Sequence, residues 1–252
     1  MNAYFTQPSR LPRCKERGFT LIELSVALLI GLFLLGGLLT LVQDMRRTFG
    51  AQSSMSQLQD SQRLAMTLIA DVVQAAGYFP DPASDTLVSS FPAAAPFVQA
   101  GQAIAGTRNA AAPGDTITVQ FRTQLNDGVI NCTGNTNTVA PLLTFVNQFS
   151  VDAAGNLNCV LNNAAAVPLI TGVQNMQILY GVKTNFAVVN NTVDSYLRAD
   201  QVTAGNNWSN IISVKVTLTF TNPLAQGQPG QPATIPFTRV VTVMARGGVN
   251  AT

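Results

Sequence analysis

The chain has 252 residues, of which 47% are hydrophobic and only 10% are charged, with a formal net charge of +2. An average soluble domain has about 25% charged residues, so this composition is typical neither of a disordered polar linker nor of a nucleic-acid-binding protein. Histidine is absent, which excludes Ser-His-Asp and Cys-His catalysis and every metal site that needs an imidazole. We therefore expect no enzyme activity, no cofactor, no metal and no nucleic-acid partner.

A basic segment precedes a long apolar run near the N-terminus. Four basic residues and one acidic residue lie between positions 10 and 17, and Phe19–Val42 follows as 24 residues with Glu23 as the only ionisable side chain. As a helix this run is about 36 Å long, which is enough to cross a hydrocarbon core of about 30 Å. A buried core helix rarely runs so long without polar side chains, and a signal peptide has an apolar core of only about 7–15 residues. The pattern predicts a membrane-spanning helix with its basic end in the cytoplasm and the chain after Gln43 outside.

Glu23 lies about one turn inside this apolar run. A carboxylate at the centre of a membrane helix costs about 2.5–3.5 kcal/mol, and less where the side chain reaches back to the headgroups. Glu23 is therefore either a tolerated carboxylate near the interface or a group kept for a partner cation.

The residues around Glu23 carry a specific motif. They read Arg17-Gly18-Phe19-Thr20-Leu21-Ile22-Glu23-Leu24, which resembles the type III signal of type IV pilins and type II secretion pseudopilins. The resemblance implies that a prepilin peptidase cleaves between Gly18 and Phe19 and methylates the new amine of Phe19. It also implies that Glu23 pairs with the Phe19 amine of a neighbouring subunit during assembly, since an ion pair in lipid is far more favourable than two isolated charges.

The helical pattern continues beyond the membrane segment. A mostly apolar stripe at alternating spacings of three and four residues comprises Ala51, Met55, Leu58, Gln62, Ala65, Ile69, Val72 and Ala76. Flanking apolar residues, Leu64, Leu68 and Val73, make this face wider than a coiled-coil seam, so packing on the chain's own domain is favoured over a coiled coil. The helix is expected to end at Gly77 before two prolines. Glycines inside it are bending points or close contacts with other helices, at Gly31, Gly36, Gly37 and Gly50.

Strands are predicted in the rest of the chain, after a long loop with at most one short element at 81–115. The predicted strands are Thr116–Arg122, Leu142–Val151, Leu157–Leu161, Val173–Val182, Ile211–Thr221 and Thr238–Ala245. The Ile211–Thr221 segment alternates apolar and polar residues, with Ile212, Val214, Val216, Leu218 and Phe220 on one face. One long helix followed by antiparallel strands predicts an α+β fold with the sheet packed on the helix stripe.

Later segments resemble the PilW family of minor pilins, which is related to the pseudopilin J component of type II secretion. The segments are Arg63–Met66, Asp71, Ala76–Phe79, Asn175–Val182 and Trp208 before the strand Ile212–Leu218. The resemblance implies a pilin-like fold and low copy number in a filament. Residues 83–170 contain no segment that carries it.

Three cysteines occur, at positions 14, 132 and 159. Cys14 lies in the leader and would be removed with it. Cys132 and Cys159 form an even pair on the outer side of the membrane, where a disulfide is favoured over two reduced buried thiols. Such a bond contributes about 3–4 kcal/mol in the chain-entropy model.

Two acidic pairs, Asp81 with Asp85 and Asp194 with Asp200, suggest calcium only weakly. Neither has the dense oxygen-ligand spacing of a known calcium loop, so solvated turn residues are the favoured interpretation.

The sequence as a whole predicts four segments. They are a leader removed by the peptidase (1–18), a transmembrane helix (19–42), an amphipathic helix outside the membrane (43–79) and a periplasmic antiparallel β domain (80–252). The expected function is that of a minor pilin that assembles through its N-terminal helix into a priming or tip complex of a type IV pilus. Expected partners are the prepilin peptidase, other minor and major pilins, a tip adhesin and the inner membrane. The alternatives are a type II secretion pseudopilin and a signal-anchored periplasmic enzyme.

Overall fold

The structure is a computed structural model that describes residues 18–187, 192–225 and 230–246. A single long helix forms the start of this described part. The predicted leader, including Cys14, lies outside these residues apart from Gly18. Helix α1 spans Leu21–Gln74. The chain divides into two units after Gly50, and α1 remains helical on both sides of this division.

The part of α1 that follows Gly50 buries one face in its own domain. This face is formed by Leu58, Gln62, Ala65, Met66, Ile69, Ala70, Val72 and Val73. It contains most of the predicted stripe, which confirms packing on the chain's own domain. Leu64 differs from the expectation, because 52% of it is exposed. The buried face is therefore narrower on that side than the sequence indicates.

Gly77 ends the helical segment close to where the sequence predicts. It adopts a φ of +74°, a conformation that glycine reaches without strain and that commonly terminates helices. Its N–H donates to the carbonyl oxygen of Gln120 at 2.9 Å, and the N–H of Arg122 donates to the carbonyl oxygen of Tyr78 at 2.8 Å. The chain leaving the helix is thus bonded directly to a strand of the sheet.

Nine strands form two antiparallel sheets in the described residues. The first sheet has the order β1-β2-β3-β4-β5 and the second the order β7-β6-β8-β9. The strands are β1 (Ile104–Thr107), β2 (Thr116–Gln124), β3 (Leu142–Val151), β4 (Asn156–Leu161), β5 (Val167–Thr171), β6 (Val173–Val182), β7 (Ser195–Leu197), β8 (Ile211–Thr221) and β9 (Thr234–Thr242). The short helices are α2 (Leu87–Ser90), α3 (Ala199–Ala204) and two 3₁₀ turns at Trp208–Asn210 and Met244–Arg246.

Strands β3, β6 and β8 have the bounds that the sequence predicts. The inward face of β8 is buried as expected. The prediction is wrong for β9, which begins at Thr234 and ends at Thr242 rather than spanning Thr238–Ala245. The predicted loop at 81–115 contains both α2 and β1, and strands β5 and β7 were not predicted.

The turn between β3 and β4 is held by Asp152. Its carboxylate accepts hydrogen bonds from the Asn156 N–H at 2.9 Å and from the Asn158 side chain at 3.0 Å. Hydrogen bonds from Asn158 and Asn156 lower the pKa of Asp152 to about 2. The carboxylate therefore stays ionised and keeps the turn closed at ordinary pH.

One hydrophobic cluster joins the buried face of α1 to the inward faces of both sheets. Two aromatic pairs with edge-to-face geometry lie within it, Phe121 with Phe145 at 5.8 Å and Tyr180 with Trp208 at 5.0 Å between ring centroids. Tyr180, in β6, is fully buried, and burial raises the pKa of its hydroxyl well above the ordinary value. A Cβ atom added to Gly106, in β1, would overlap this hydroxyl and lie 2.8 Å from the carbonyl oxygen of Thr116.

Candidate processing and assembly site

Gly18 and Phe19 precede the first turn of α1 in an exposed segment. Phe19 is 87% exposed, and a Cβ atom added to Gly18 would have no other atom of the described residues within 4 Å. The fold of the described residues therefore does not itself require a glycine at this position. A requirement for glycine here must come from a molecule that binds the segment, such as a peptidase.

Thr20 and Glu23 form a capping arrangement at the start of α1. The Glu23 N–H donates to the Thr20 hydroxyl oxygen, and the Thr20 N–H donates to the Glu23 carboxylate, both at 3.4 Å. This reciprocal pattern is a capping box, which satisfies backbone N–H groups that have no partner within the helix. It places the carboxylate beside the backbone nitrogen of the residue that directly follows Phe19.

No role for Thr20 was predicted from the sequence. Its signal was nevertheless readable, because a threonine followed three residues later by a glutamate before an apolar run is the capping-box pattern. The capping box gives Glu23 an alternative role, because its side chain has a partner at the start of its own helix.

The apolar side chains of α1 before Gly50 are exposed. The helix is long and apolar enough to cross a membrane, with a mean hydropathy of 2.5 over its most apolar window, and none of that window is buried. Its hydroxyl groups bond within the helix, because Ser25 donates to the carbonyl oxygen of Ile22 and Thr40 to that of Gly37, both at 2.8 Å. This surface is therefore suited to lipid or to other apolar helices.

A disulfide joins Cys132 to Cys159, with 6.0 Å between the two Cα atoms. It links the segment after β2 to strand β4, and both residues are at least 99% buried. The Cys132 N–H donates to the side-chain oxygen of buried Asn147 in β3 at 2.8 Å. The predicted pairing is confirmed, and the structure adds Asn147 as a second anchor of the same segment.

Three of the four acidic side chains considered for calcium have partners within the chain. Asp81 accepts the Ala83 N–H at 3.2 Å. Asp194 accepts hydrogen bonds from the N–H groups of Thr184 and Asn185, both at 2.7 Å, and these bonds lower its pKa. Asp200 pairs with Arg198 at 3.2 Å. Within the described residues, no group of three His, Cys, Asp or Glu side chains is placed to hold a metal ion.

Two family comparisons match different parts of the chain. Residues 13–39 match the prokaryotic N-terminal methylation motif, and residues 122–245 match the family described as type IV pilus-assembly protein W, or PilW. The chain is a PilW-like type IV minor pilin. Both matched families are pilin or pilus-assembly families. A search of curated proteins found no match.

The PilW match extends from the end of β2 through β9. It includes two of the segments that carried the resemblance in the sequence, around Tyr180 and Trp208, and it also covers residues 122–170, where no resembling segment was recognised. The methylation motif covers Gly18, Phe19 and Glu23. An apolar N-terminal helix that follows such a signal fits a pilin anchored in the inner membrane.

Proposed function

We propose that this minor pilin joins the priming or tip complex of a type IV pilus, with its N-terminal helix as the assembly element. The observation that carries the proposal is the exposed apolar segment of α1, which begins immediately after the processing motif. Such a helix needs lipid before assembly and other apolar helices after it. The folded domain is then left to contact other subunits outside the membrane.

Processing comes first in the proposed sequence of events. The precursor inserts with residues 1–18 in the cytoplasm, and the prepilin peptidase cleaves between Gly18 and Phe19 and methylates the Phe19 amine. In the inserted protein, residues 19–42 cross the inner membrane, residues 43–79 continue outside it, and residues 80–252 form the periplasmic domain. The family match to an N-terminal methylation motif supports this order.

Glu23 contributes to assembly by pairing with the Phe19 amine of a neighbouring subunit. Processing creates a positive amine four residues before a carboxylate that already turns towards the start of the helix. Both charges are unfavourable in lipid, so their pairing between adjacent helices fixes the axial register. Proposed partners are other minor and major pilins and a tip adhesin.

A genetic experiment separates this function from the pseudopilin alternative. Deletion of the gene is expected to remove surface pili and to leave secretion of type II substrates unchanged, with full recovery from a plasmid copy. Affinity purification of the tagged protein after cross-linking should recover other minor pilins. Normal piliation together with loss of protein secretion would instead assign the chain to a type II secretion pseudopilus.

Cleavage is expected to depend on the size of residue 18. Gly18→Ala should slow processing and Gly18→Leu should block it, because a side chain obstructs the extended backbone in a protease cleft. Neither change should alter the folded domain, since a Cβ atom at Gly18 has no contact with the residues from position 18 onwards that the structure describes. Mass spectrometry of the membrane fraction checks the N-terminus.

Gly36→Ala is the matched control, because Gly36 also has open space around it but lies outside the cleavage motif. It should be processed like the wild type. A mature N-terminus at any residue other than Phe19 would contradict the assignment.

A further inference from the structure

Two adjoining cavities lie on the outward face of the first sheet. Their volumes are about 610 Å³ and 220 Å³, and Pro96, Thr118 and Gln148 line both of them. Together they form one groove, which we call the sheet groove. Its size falls in the range of about 300–1,000 Å³ that is usual for small-ligand sites.

Strand pairing places the floor of the sheet groove in one row. Thr118 pairs with Ala105 on one side and with Gln148 on the other, and Gln148 pairs with Val160. The row therefore crosses strands β1 to β4. The segment that carries Pro96 is anchored beside the floor by Phe91 and Phe97, which are at least 97% buried.

The floor presents polar groups that have no partner among the residues that the structure describes. Thr118 is only 6% exposed, yet its hydroxyl makes no hydrogen bond to any residue that the structure describes. The side-chain amide of Gln148 is likewise unpaired within those residues. Asn162 uses its side-chain oxygen to accept the Val146 N–H at 2.7 Å, which leaves its NH₂ group free to donate. The Thr118 hydroxyl is not among the fully buried side-chain atoms that lack a partner in the described residues. It therefore opens into the groove, where it bonds to water or to a ligand that displaces the water.

No lining residue of the sheet groove is ionisable. The lining combines amide and hydroxyl groups with the aliphatic surfaces of Val146, Val160 and Pro96. Anionic ligands, cationic ligands and metal ions find no charge complement on such a surface. Amide and hydroxyl groups beside aliphatic patches suit a ligand that alternates hydroxyl groups with C–H faces.

We propose that the sheet groove binds a neutral oligosaccharide. A peptide fits less well, because an extended peptide gains affinity by pairing its backbone with a free sheet edge. The groove crosses the face of strands β1 to β4, and the backbones of β2 and β3 at its centre are already paired with each other and with β1 and β4. Sugar hydroxyls, in contrast, pair with the side-chain groups that the floor leaves free.

Trp208 closes the end of the groove near β1. Trp208 lines this end, but its indole N–H donates to the Thr203 hydroxyl at 3.1 Å and its ring packs on Tyr180. Trp208 therefore limits the groove and does not offer a free ring face for stacking. Ligand orientation depends on Thr118 and Gln148.

The test uses the full-length protein in a zwitterionic detergent, because sugar-headed detergents would compete for the groove. Binding of chitohexaose, cellohexaose and maltohexaose is measured by isothermal titration calorimetry up to millimolar concentration. We expect at least one of them to bind. Thr118→Val and Gln148→Met should each weaken that binding about tenfold, which is the scale of one lost hydrogen bond to a buried group.

Thr144→Val is the matched control, because Thr144 lies on the outward side of β3, paired with Arg122, outside the two cavities. It should bind like the wild type, and thermal unfolding should show that all three variants fold. Absence of binding to all three sugars, or unchanged binding in both groove variants, would overturn the proposal. A photo-crosslinking residue at Gln148 that captures another pilin in cells would overturn it as well, because the groove would then be a protein interface.

Discussion

Replacing Glu23 by alanine is expected to leave the protein processed and stable in the membrane but unable to enter filaments. Removing the carboxylate leaves the Phe19 amine of a neighbouring subunit unpaired inside a helix bundle. Loss of one partner of a buried ion pair typically costs about 3–5 kcal/mol, or roughly a hundred- to several-thousand-fold in an association constant. Co-purification with other pilins and counting of surface pili measure the loss.

The capping box supplies a competing explanation that can be separated from ion pairing. A lost helix cap costs only about 0.5–2 kcal/mol, and a glutamine at the position of Glu23 still completes a capping box. Glu23→Gln should therefore restore assembly if the role of Glu23 is capping, and should remain nearly as defective as Glu23→Ala if its charge is needed. We expect the second result.

Thr20→Ala is the matched control for the two variants Glu23→Ala and Glu23→Gln. It removes the hydroxyl that accepts the Glu23 N–H while keeping the carboxylate, so assembly should be retained with at most a mild defect. Wild-type pilus number and wild-type co-purification in Glu23→Ala would remove the assembly role that we propose for Glu23.

Removing the disulfide is expected to lower the free energy of unfolding by about 3–4 kcal/mol, since it frees a loop with a sequence separation of 27 residues. The double variant Cys132→Ala/Cys159→Ala should lose this amount, measured by denaturant unfolding of the full-length protein. Both positions are buried, so part of the loss comes from the cavity that the sulfur atoms leave.

Reduction of the wild-type protein should reproduce the part of this loss that comes from chain entropy. It should not reproduce the part that comes from the cavity, because both cysteine side chains stay in place. The double variant treated with reductant is the control, and it should unfold alike with and without reductant because it has no disulfide to break. Equal stability of the oxidised and reduced forms would contradict the stabilising contribution that we expect from the disulfide.

Long periodic segments of the fold were predictable from the sequence. Strand β8 has an apolar residue at every second position, and that alternation alone specifies both its bounds and its buried face. The buried face of α1 followed from its helical spacing in the same way. Leu64 departs from the pattern because exposure depends on what packs there, which one sequence does not reveal.

Short strands were missed because their cause is not local. Strand β7 has three residues and exists through its pairing with Tyr180, Gly181 and Val182 in β6. Strand β5 contains Pro168, and a proline within a short apolar run argues against a strand. The division into two sheets could not be predicted either, because the sequence of a strand does not determine which strand it pairs with.

For the candidate sites, too, residues that are adjacent in sequence could be predicted, whereas residues brought together from different strands could not. Gly18, Phe19 and Glu23 lie within six consecutive residues, so their motif is readable directly. The row from Thr118 to Val160 is assembled from different strands, and only the observed register brings its unpaired groups together. Sequence spacing therefore reveals the processing signal but not the groove.

The contact between Gly106 and Tyr180 has an evolutionary consequence. The two residues belong to different sheets, and the tyrosine hydroxyl occupies the space that any side chain at position 106 would need. Shortening Tyr180 alone would not release that position, because the carbonyl oxygen of Thr116 also blocks it. Glycine is therefore required at position 106 in descendants of this chain whether or not they keep the tyrosine, because one neighbour from each sheet excludes a side chain there.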